Sequence, residues 1–311
     1  MSNPHFSDLP IAGTPRRQEP IEAAPVQVWG DPPFLGSVSF HREGGGYRVR
    51  FCGIADFLIG KDGRLDAVFP DMDAEIPWQG SYLRQVRPLL WSLQGQAVFH
   101  GGAVSRDGRA IAFLGPSGRG KSTLTAACAA RGLAFLTDDC LVLQGAGPRR
   151  VLPDVSWIRL REDSFEVLRT AMPAGNATMA PWWDKPRLAA DAQALPHARE
   201  PAILAHVVLL GEDEGNDIRL EPMGTIDSTI AWCAHAFVVD QKAPEVMRGM
   251  MHRAAALAAE LPMHRLSYPR DYARLDEVVA VVSGLLQGDG SAARDAEQAG
   301  GMAVVNARGK Q

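Results

Sequence analysis

The chain has 311 residues, 46% of them hydrophobic and 22% charged, enough for a sizeable core in one large domain or two smaller ones. That balance excludes a wholly disordered chain, a collagen-like fibre and a coiled-coil rod. The formal net charge of -4, from 32 Lys plus Arg against 36 Asp plus Glu, lacks the basic excess of a duplex-binding protein, so no nucleic-acid partner is expected. Only five of the basic residues are lysines (Lys61, Lys121, Lys185, Lys242 and Lys310), so a lysine inside a motif carries weight. The four cysteines, Cys52, Cys128, Cys140 and Cys233, show no CxxC spacing, which argues against a disulfide framework or a structural zinc site and for a reducing cytoplasm. Residues 1–25 hold no apolar core of a signal peptide, and the longest apolar run, Ala202 to Leu210, is too short to span a bilayer. No membrane partner is expected.

In chain order, residues 1–25 read as a Pro-rich flexible arm. Short strand-like runs follow at Val26–Trp29, Ser37–Phe40 and Tyr47–Ile59, separated by turn signals such as Gly44-Gly45-Gly46 and Asp62-Gly63. Ser81 then stands as an N-cap for a helix carrying Leu83, Val86, Leu89, Leu90 and Leu93, which Pro88 should kink or shorten. Residues 26–95 thus read as a small β-rich N-terminal domain with a kinked helix. From residue 96 to 287 the texture is α/β. A strand at Ala110–Leu114, a Gly-rich loop, a helix from Lys121 to Arg131 with Gly132 as its C-cap, and a strand at Leu133–Thr137 come first. Leu141–Leu143 is another short strand, and residues 153–201 form a mixed segment with Trp157, Trp182 and Trp183. Strands at Ala202–Leu210, Asp217–Met223 and Met263–Tyr268 and helices at Ile226–Phe237, Ala243–Glu260 and Asp276–Leu286 complete the pattern, and residues 288–311 read as a flexible tail.

The sharpest motif is Gly115-Pro116-Ser117-Gly118-Arg119-Gly120-Lys121-Ser122, which fits G-x-x-x-x-G-K-[ST] between a strand and a helix. Its glycines allow backbone N–H groups to wrap an anion, and the helix N-terminus adds partial positive charge. Lys121 is placed to neutralise β and γ phosphates, and the Ser122 hydroxyl to hold Mg²⁺. Asp138-Asp139 ends the next strand; one carboxylate there can ligate Mg²⁺ and the other can take a proton from an attacking hydroxyl, unless the pair merely caps a turn. His100, in Val98-Phe99-His100-Gly101-Gly102, precedes the strand that enters the loop and by itself reads as structural or surface more readily than as catalytic. Lys185 and Arg187 could reach a nucleotide or a substrate carboxylate or form a solvated turn; Arg159 and Arg161 alternate along a strand-like run and need do no more than meet solvent. Trp232, Cys233 and His235 read as packing residues of a helix.

Taken together, HGGAV (100–104), GPSGRGKST (115–123) and RGLAFLTDDCLVL (131–143) resemble the catalytic core of the HPr kinase/phosphorylase family. The chain is more similar still to the related group that includes lasso-peptide tailoring kinases, through LPDVSWIRLREDSF (152–165), DKPRL (184–188) and HRLSYPRDYARLDEVV (264–279). The resemblance implies an α/β fold of the phosphoenolpyruvate-carboxykinase and HPr-kinase type, a mixed sheet with a P-loop. It also implies ATP and Mg²⁺ as cofactors and an ATP-dependent kinase acting on a serine of a peptide or protein, such as the C-terminal serine of a lasso precursor peptide. Carried over by position, residues 115–123 (Gly115 through Thr123) resemble the nucleotide-binding loop. Asp138 resembles the catalytic aspartate, Asp139 with Ser122 the metal side, and His100 the histidine that contacts the catalytic carboxylate. Two departures bear on the substrate: Thr123 stands where HPr kinases carry Glu, and their downstream Arg-Gly-rich segment has no counterpart. The rival expectations are a kinase for an HPr-like carrier and a regulator that binds ATP without transferring it; a homo-oligomer is left open.

Overall fold

The computed structural model describes residues 12–15, 18–29, 38–60, 64–69, 82–154, 157–170, 177–178, 187–189, 195–211 and 215–287. Ser81, Trp182, Trp183, Lys185 and the 288–311 tail expected from the sequence lie outside the described residues, as does much of the 1–25 arm.

Six strands form the first sheet: β1 (Ala12–Pro15), β2 (Gln27–Trp29), β3 (Val38–Glu43), β4 (Gly46–Phe51), β5 (Ala55–Ile59) and β6 (Leu65–Phe69). Their order is β1-β6-β5-β4-β3-β2, antiparallel throughout except for β1, which runs parallel to β6. Part of the segment read as a free arm is therefore an edge strand. The single run read at Tyr47–Ile59 divides into β4 and β5, which reverse through a turn at residues 52–54. Alternation along these strands buries Phe40, Val49, Phe51, Phe57 and Ile59 on one face, where Tyr82, Leu83, Val86 and Leu89 cover them. Pro88 does not break its helix. A π turn at Tyr82–Val86 leads into α1 (Arg87–Leu93), and Pro88 falls at the start of the α-helical part, where its missing N–H and fixed φ are no handicap.

The second sheet has nine strands: β7 (Ala97–Phe99), β8 (Gly102–Arg106), β9 (Arg109–Leu114), β10 (Ala134–Thr137), β11 (Leu141–Gln144), β12 (Arg150–Val151), β16 (Ala202–Leu210), β17 (Arg219–Pro222) and β18 (Met263–Ser267). Between β12 and β16 in sequence, β13 (Trp157–Arg159), β14 (Ala177–Thr178) and β15 (Arg187–Ala189) make a small antiparallel sheet of their own. The helices that follow α1 are α2 (Lys121–Ala130), α3 (Glu162–Thr170), α4 (Thr225–His235), α5 (Pro244–Glu260) and α6 (residues 275–287). The sequence reading did not separate α3 from the mixed segment around it.

Three strands, β9, β16 and β18, run parallel at the heart of the second sheet, and the outer pairings are antiparallel. The chain is thus mixed α/β. Ile111 and Phe113 of β9 pack with Leu124, Cys128, Val278 and Val282 of α2 and α6. Ala110, Ala112 and Leu114 pack on the opposite face with Trp232, Ala254 and Leu257 of α4 and α5. Burial on both faces is why β9 reads as an unbroken apolar run rather than an alternating one. The first sheet joins this body through Asp240, a buried carboxylate that accepts from Arg42 Nε at 2.6 Å and from the Tyr47 hydroxyl at 3.3 Å. No helix among the described residues is long and apolar enough to cross a membrane.

Trp232 is wholly buried, its ring 4.5 Å from that of Phe99. Trp232→Ala is expected to cost about 3–5 kcal/mol, seen in urea unfolding as a lower midpoint with an unchanged slope.

Candidate functional site

The three parallel strands end at the same edge of the sheet, at Leu114, Leu210 and Ser267. Loops leaving the carboxyl ends of parallel strands converge there, and ligands of α/β sheets bind in that crevice. The Gly-rich loop is the one that leaves β9. Gly120 is the N-cap of α2 with φ 86°, and no side chain caps the helix, so the helix N-terminus and its partial positive charge face the loop. A Cβ at Gly120 would lie 3.1 Å from the Tyr268 hydroxyl in a left-handed conformation, which is why glycine stands there. Lys121 is only 7% exposed and folds back to donate to the carbonyls of Gly115 at 2.7 Å and Pro116 at 3.1 Å. Arg270 braces the loop from outside. Its guanidinium donates to the carbonyls of Arg119 at 2.7 Å and Gly211 at 2.9 Å and stacks 4.2 Å over the Tyr268 ring.

The acidic pair lies between β10 and β11, and its two members face different partners. Asp138 is 5% exposed, and its Oδ1 accepts the Ser122 hydroxyl at 2.9 Å. Burial, with the negative Asp139 next to it, pushes its carboxyl up to about 7 against partial relief from Arg159 and Ser122. Asp139 holds φ 68°, a left-handed conformation uncommon for residues with a side chain and one that aspartate, like asparagine, adopts more readily than most. That backbone turns it into a cleft of about 350 Å³ beside Ser122, Thr123, Arg159 and Tyr272, and its carboxylate pairs with Arg159. Burial works against its charge, but the Arg159 guanidinium and His100 outweigh burial and hold the carboxyl well below the usual range.

His100 Nδ1 lies 3.0 Å from the main-chain carbonyl of Asp139. A carbonyl only accepts, so Nδ1 carries the proton and the neutral ring keeps its lone pair on Nε2. Burial pulls its pKa below the ordinary histidine value. The hydrogen bond implied to a catalytic carboxylate is thus made to the backbone beside one, and it helps to hold Asp139 in its left-handed turn.

Arg159, which by its sequence pattern need do no more than meet solvent, is 6% exposed and belongs to the site. Arg161 stays 71% exposed on its rim. Arg187 sits opposite Arg159 in the register of β13 and β15. Thr123 closes a chain of hydroxyls, 2.9 Å from Ser164 Oγ, which in turn is 2.9 Å from the Tyr272 hydroxyl. Ser164, Tyr268, Arg270 and Tyr272 were not singled out in the sequence. The usable signal was positional: Tyr268 to Tyr272 directly follow a strand that runs parallel to the one feeding the Gly-rich loop. Among the described residues, no group of three or more His, Cys, Asp or Glu side chains is placed to hold a metal ion.

No protein-family model matches this chain, and no curated protein matches it. Among solved structures it is similar to the Hpr(Ser) kinase/phosphatase from Coxiella burnetii, at 11% identity and a TM-score of 0.33, over 66% of this chain and 97% of that one.

A carboxyl raised to about 7 binds its proton more tightly in the folded chain than in the unfolded one. Its contribution to stability is therefore greatest below about pH 4 and is lost as pH rises towards 7. In metal-free buffer, Asp138→Asn should gain stability relative to the wild type on going from pH 5 to pH 8, read as the difference in their urea midpoints.

Proposed function

We propose that this chain is an ATP-dependent phosphotransferase that phosphorylates a serine hydroxyl of a peptide or protein. The finer form of the reading is the C-terminal serine of a lasso-type ribosomal precursor peptide, with HPr a poor acceptor because Thr123 stands where HPr kinases carry Glu. One observation carries it. The Ser122–Asp138 hydrogen bond joins the Gly-rich loop to an acidic pair whose other member, Asp139, faces the adjoining cleft in its ionised form.

The residues present suit magnesium and a nucleotide. Mg²⁺ is commonly held by one or two carboxylates together with substrate phosphates. Ser122 Oγ and Asp138 offer that oxygen set, and a desolvated carboxyl raised to about 7 is one whose surroundings want a cation. When bound, MgATP would supply the γ-phosphoryl group: the serine oxygen–phosphorus bond forms, the bond to the β-phosphate bridge oxygen breaks, and ADP leaves. Lys121 would exchange its two loop carbonyls for phosphate oxygens, and the uncapped start of α2 would direct N–H groups at them. Asp139, kept ionised by Arg159, would align the acceptor hydroxyl and receive its proton at a carboxylate oxygen. This division reverses the sequence-based one, in which Asp138 was the base and Asp139 stood on the metal side. It rests on which carboxylate reaches the cleft.

The test is incubation with MgATP and serine-containing peptides, with the phosphate located by mass spectrometry; lasso-type precursors should be modified and HPr should not. Lys121→Ala should abolish most nucleotide binding, measured by calorimetry. Asp139→Asn should keep ATP binding and lower transfer by about 10²-fold, the low end for a positioned base because a carboxylate held so far down accepts a proton weakly, whereas Asp138→Asn should lose the magnesium dependence of ATP binding. The opposite pattern in the two Asn variants would restore the sequence-based roles.

A further inference from the structure

A second cavity, of about 480 Å³, adjoins the Gly-rich loop and shares His100 and Ser117 with the first. Its other walls come from the loop itself, from His235 at the end of α4, from the extended segment after it, chiefly Phe237 and Gln241, and from Gln27 of β2. That segment is held against β7: His100 N donates to the His235 carbonyl at 2.7 Å, Phe237 N donates to the Val98 carbonyl at 3.2 Å, and the Ser92 hydroxyl donates to the Phe237 carbonyl at 2.7 Å. No Asp, Glu, Lys or Arg lines this cavity. Its titratable side chains are His100 and His235. Burial, aided by the nearby Lys121 charge, holds His235 down at about 4, so both rings are neutral near pH 7.

A third cavity, of about 230 Å³, shares Ala236, Phe237 and Val238 with the second and continues between α1 and α5 past Leu93, Val246 and Met250. The two cavities have the 236–238 segment as a common wall, and ionic side chains, Glu245 and Arg253, line only the one farther from the Gly-rich loop. Gly249 lies on the wall of that farther cavity, in the interior of α5. A Cβ there would meet no heavy atom within 4 Å. A helix-interior glycine costs stability that alanine would not, and no neighbour requires it; what the missing side chain leaves is room in that cavity.

We propose that the two cavities act as one trough across that common wall and seat the acceptor as an extended, largely apolar stretch of polypeptide. Its hydroxyl-bearing residue lies at the His100–Ser117 end and the rest of its chain runs over Phe237 towards Gly249. The inference rests on the phosphotransferase reading and adds where the acceptor lies and what chemistry recognises it. Small phosphorylated or zwitterionic acceptors fit badly at the loop end, because their charges would lose water there against walls that offer no ionic partner. A peptide meets the same walls with apolar side chains on either side of a continuous backbone, and Met250 adapts to varied shapes.

Gly249→Trp tests this, since it fills the trough without touching the loop or the acidic pair and improves helix propensity. The probes are short synthetic peptides with one terminal serine and either apolar or acidic residues elsewhere. Wild-type protein should phosphorylate the apolar series in preference and should melt at a higher temperature in its presence even without nucleotide. Gly249→Trp should raise the KM for those peptides at least about tenfold and abolish their melting shift, while ATP affinity and its own melting temperature stay at or above wild type. An unchanged peptide KM in Gly249→Trp overturns the trough assignment. So does transfer only to small molecules, or ATP binding with no peptide modified, and each of those leaves the nucleotide reading standing. Faster ATP turnover in Gly249→Trp without any peptide would make the natural occupant a segment of this chain and overturn the acceptor assignment. Failure of the wild type to bind ATP at all would overturn the phosphotransferase reading and this inference together.

Discussion

Strand β9 has to be buried on both faces, because Ala110, Ile111, Ala112, Phe113 and Leu114 leave it no polar side to show to water. That requirement calls up a helix layer on each face, α2 and α6 on one and α4 and α5 on the other. Beside β9, β16 runs parallel, and β18 runs parallel along β16, so that three strand ends and the loops after them share one edge. The Gly-rich loop, the Gly211 carbonyl and Tyr268 to Tyr272 meet for that reason, with Arg270 spanning them. The site is a consequence of how the core is covered.

Within the site, two adjacent carboxyls are kept unlike. Neighbouring carboxylates buried together repel, and one of them normally takes up a proton. Here the asymmetry comes from partners: the Arg159 guanidinium pairs with Asp139, whereas Asp138 accepts from the Ser122 hydroxyl and feels Arg159 only as a weaker, partial relief of its burial. The left-handed turn at Asp139, tied down through its carbonyl by His100, sends the two side chains to different partners. A buried arginine from the small third sheet therefore decides which carboxyl stays charged at neutral pH, and that sheet takes part in the site electrostatically as well as by position.

Much of the architecture was legible in the chain because local signals agreed with burial. The strand runs at Ala110–Leu114, Ala202–Leu210 and Met263–Ser267 and the helix starting at Lys121 carry their period and their caps in adjacent residues. The misreadings have local causes too. Pro88 does shorten the α-helical part, which begins at Arg87, but the π turn that precedes it has no sequence signature, and α3 was hidden because its neighbours on both sides give no clear period.

The sequence by itself determined that a strand, a glycine-rich turn and a helix would follow one another at residues 110–130, and that an acidic pair would end the next strand. These features are written in neighbouring residues and in the backbone freedom of glycine. Only the tertiary structure decided that Ser122 would meet Asp138 and that Arg159 would be buried against Asp139. It also decided that Thr123 would join Ser164 and Tyr272, and that the segment after α4 would lie along β7. Each of those contacts joins residues well apart along the chain, and its electrostatics depend on water being excluded around it, which no local pattern of residue types encodes.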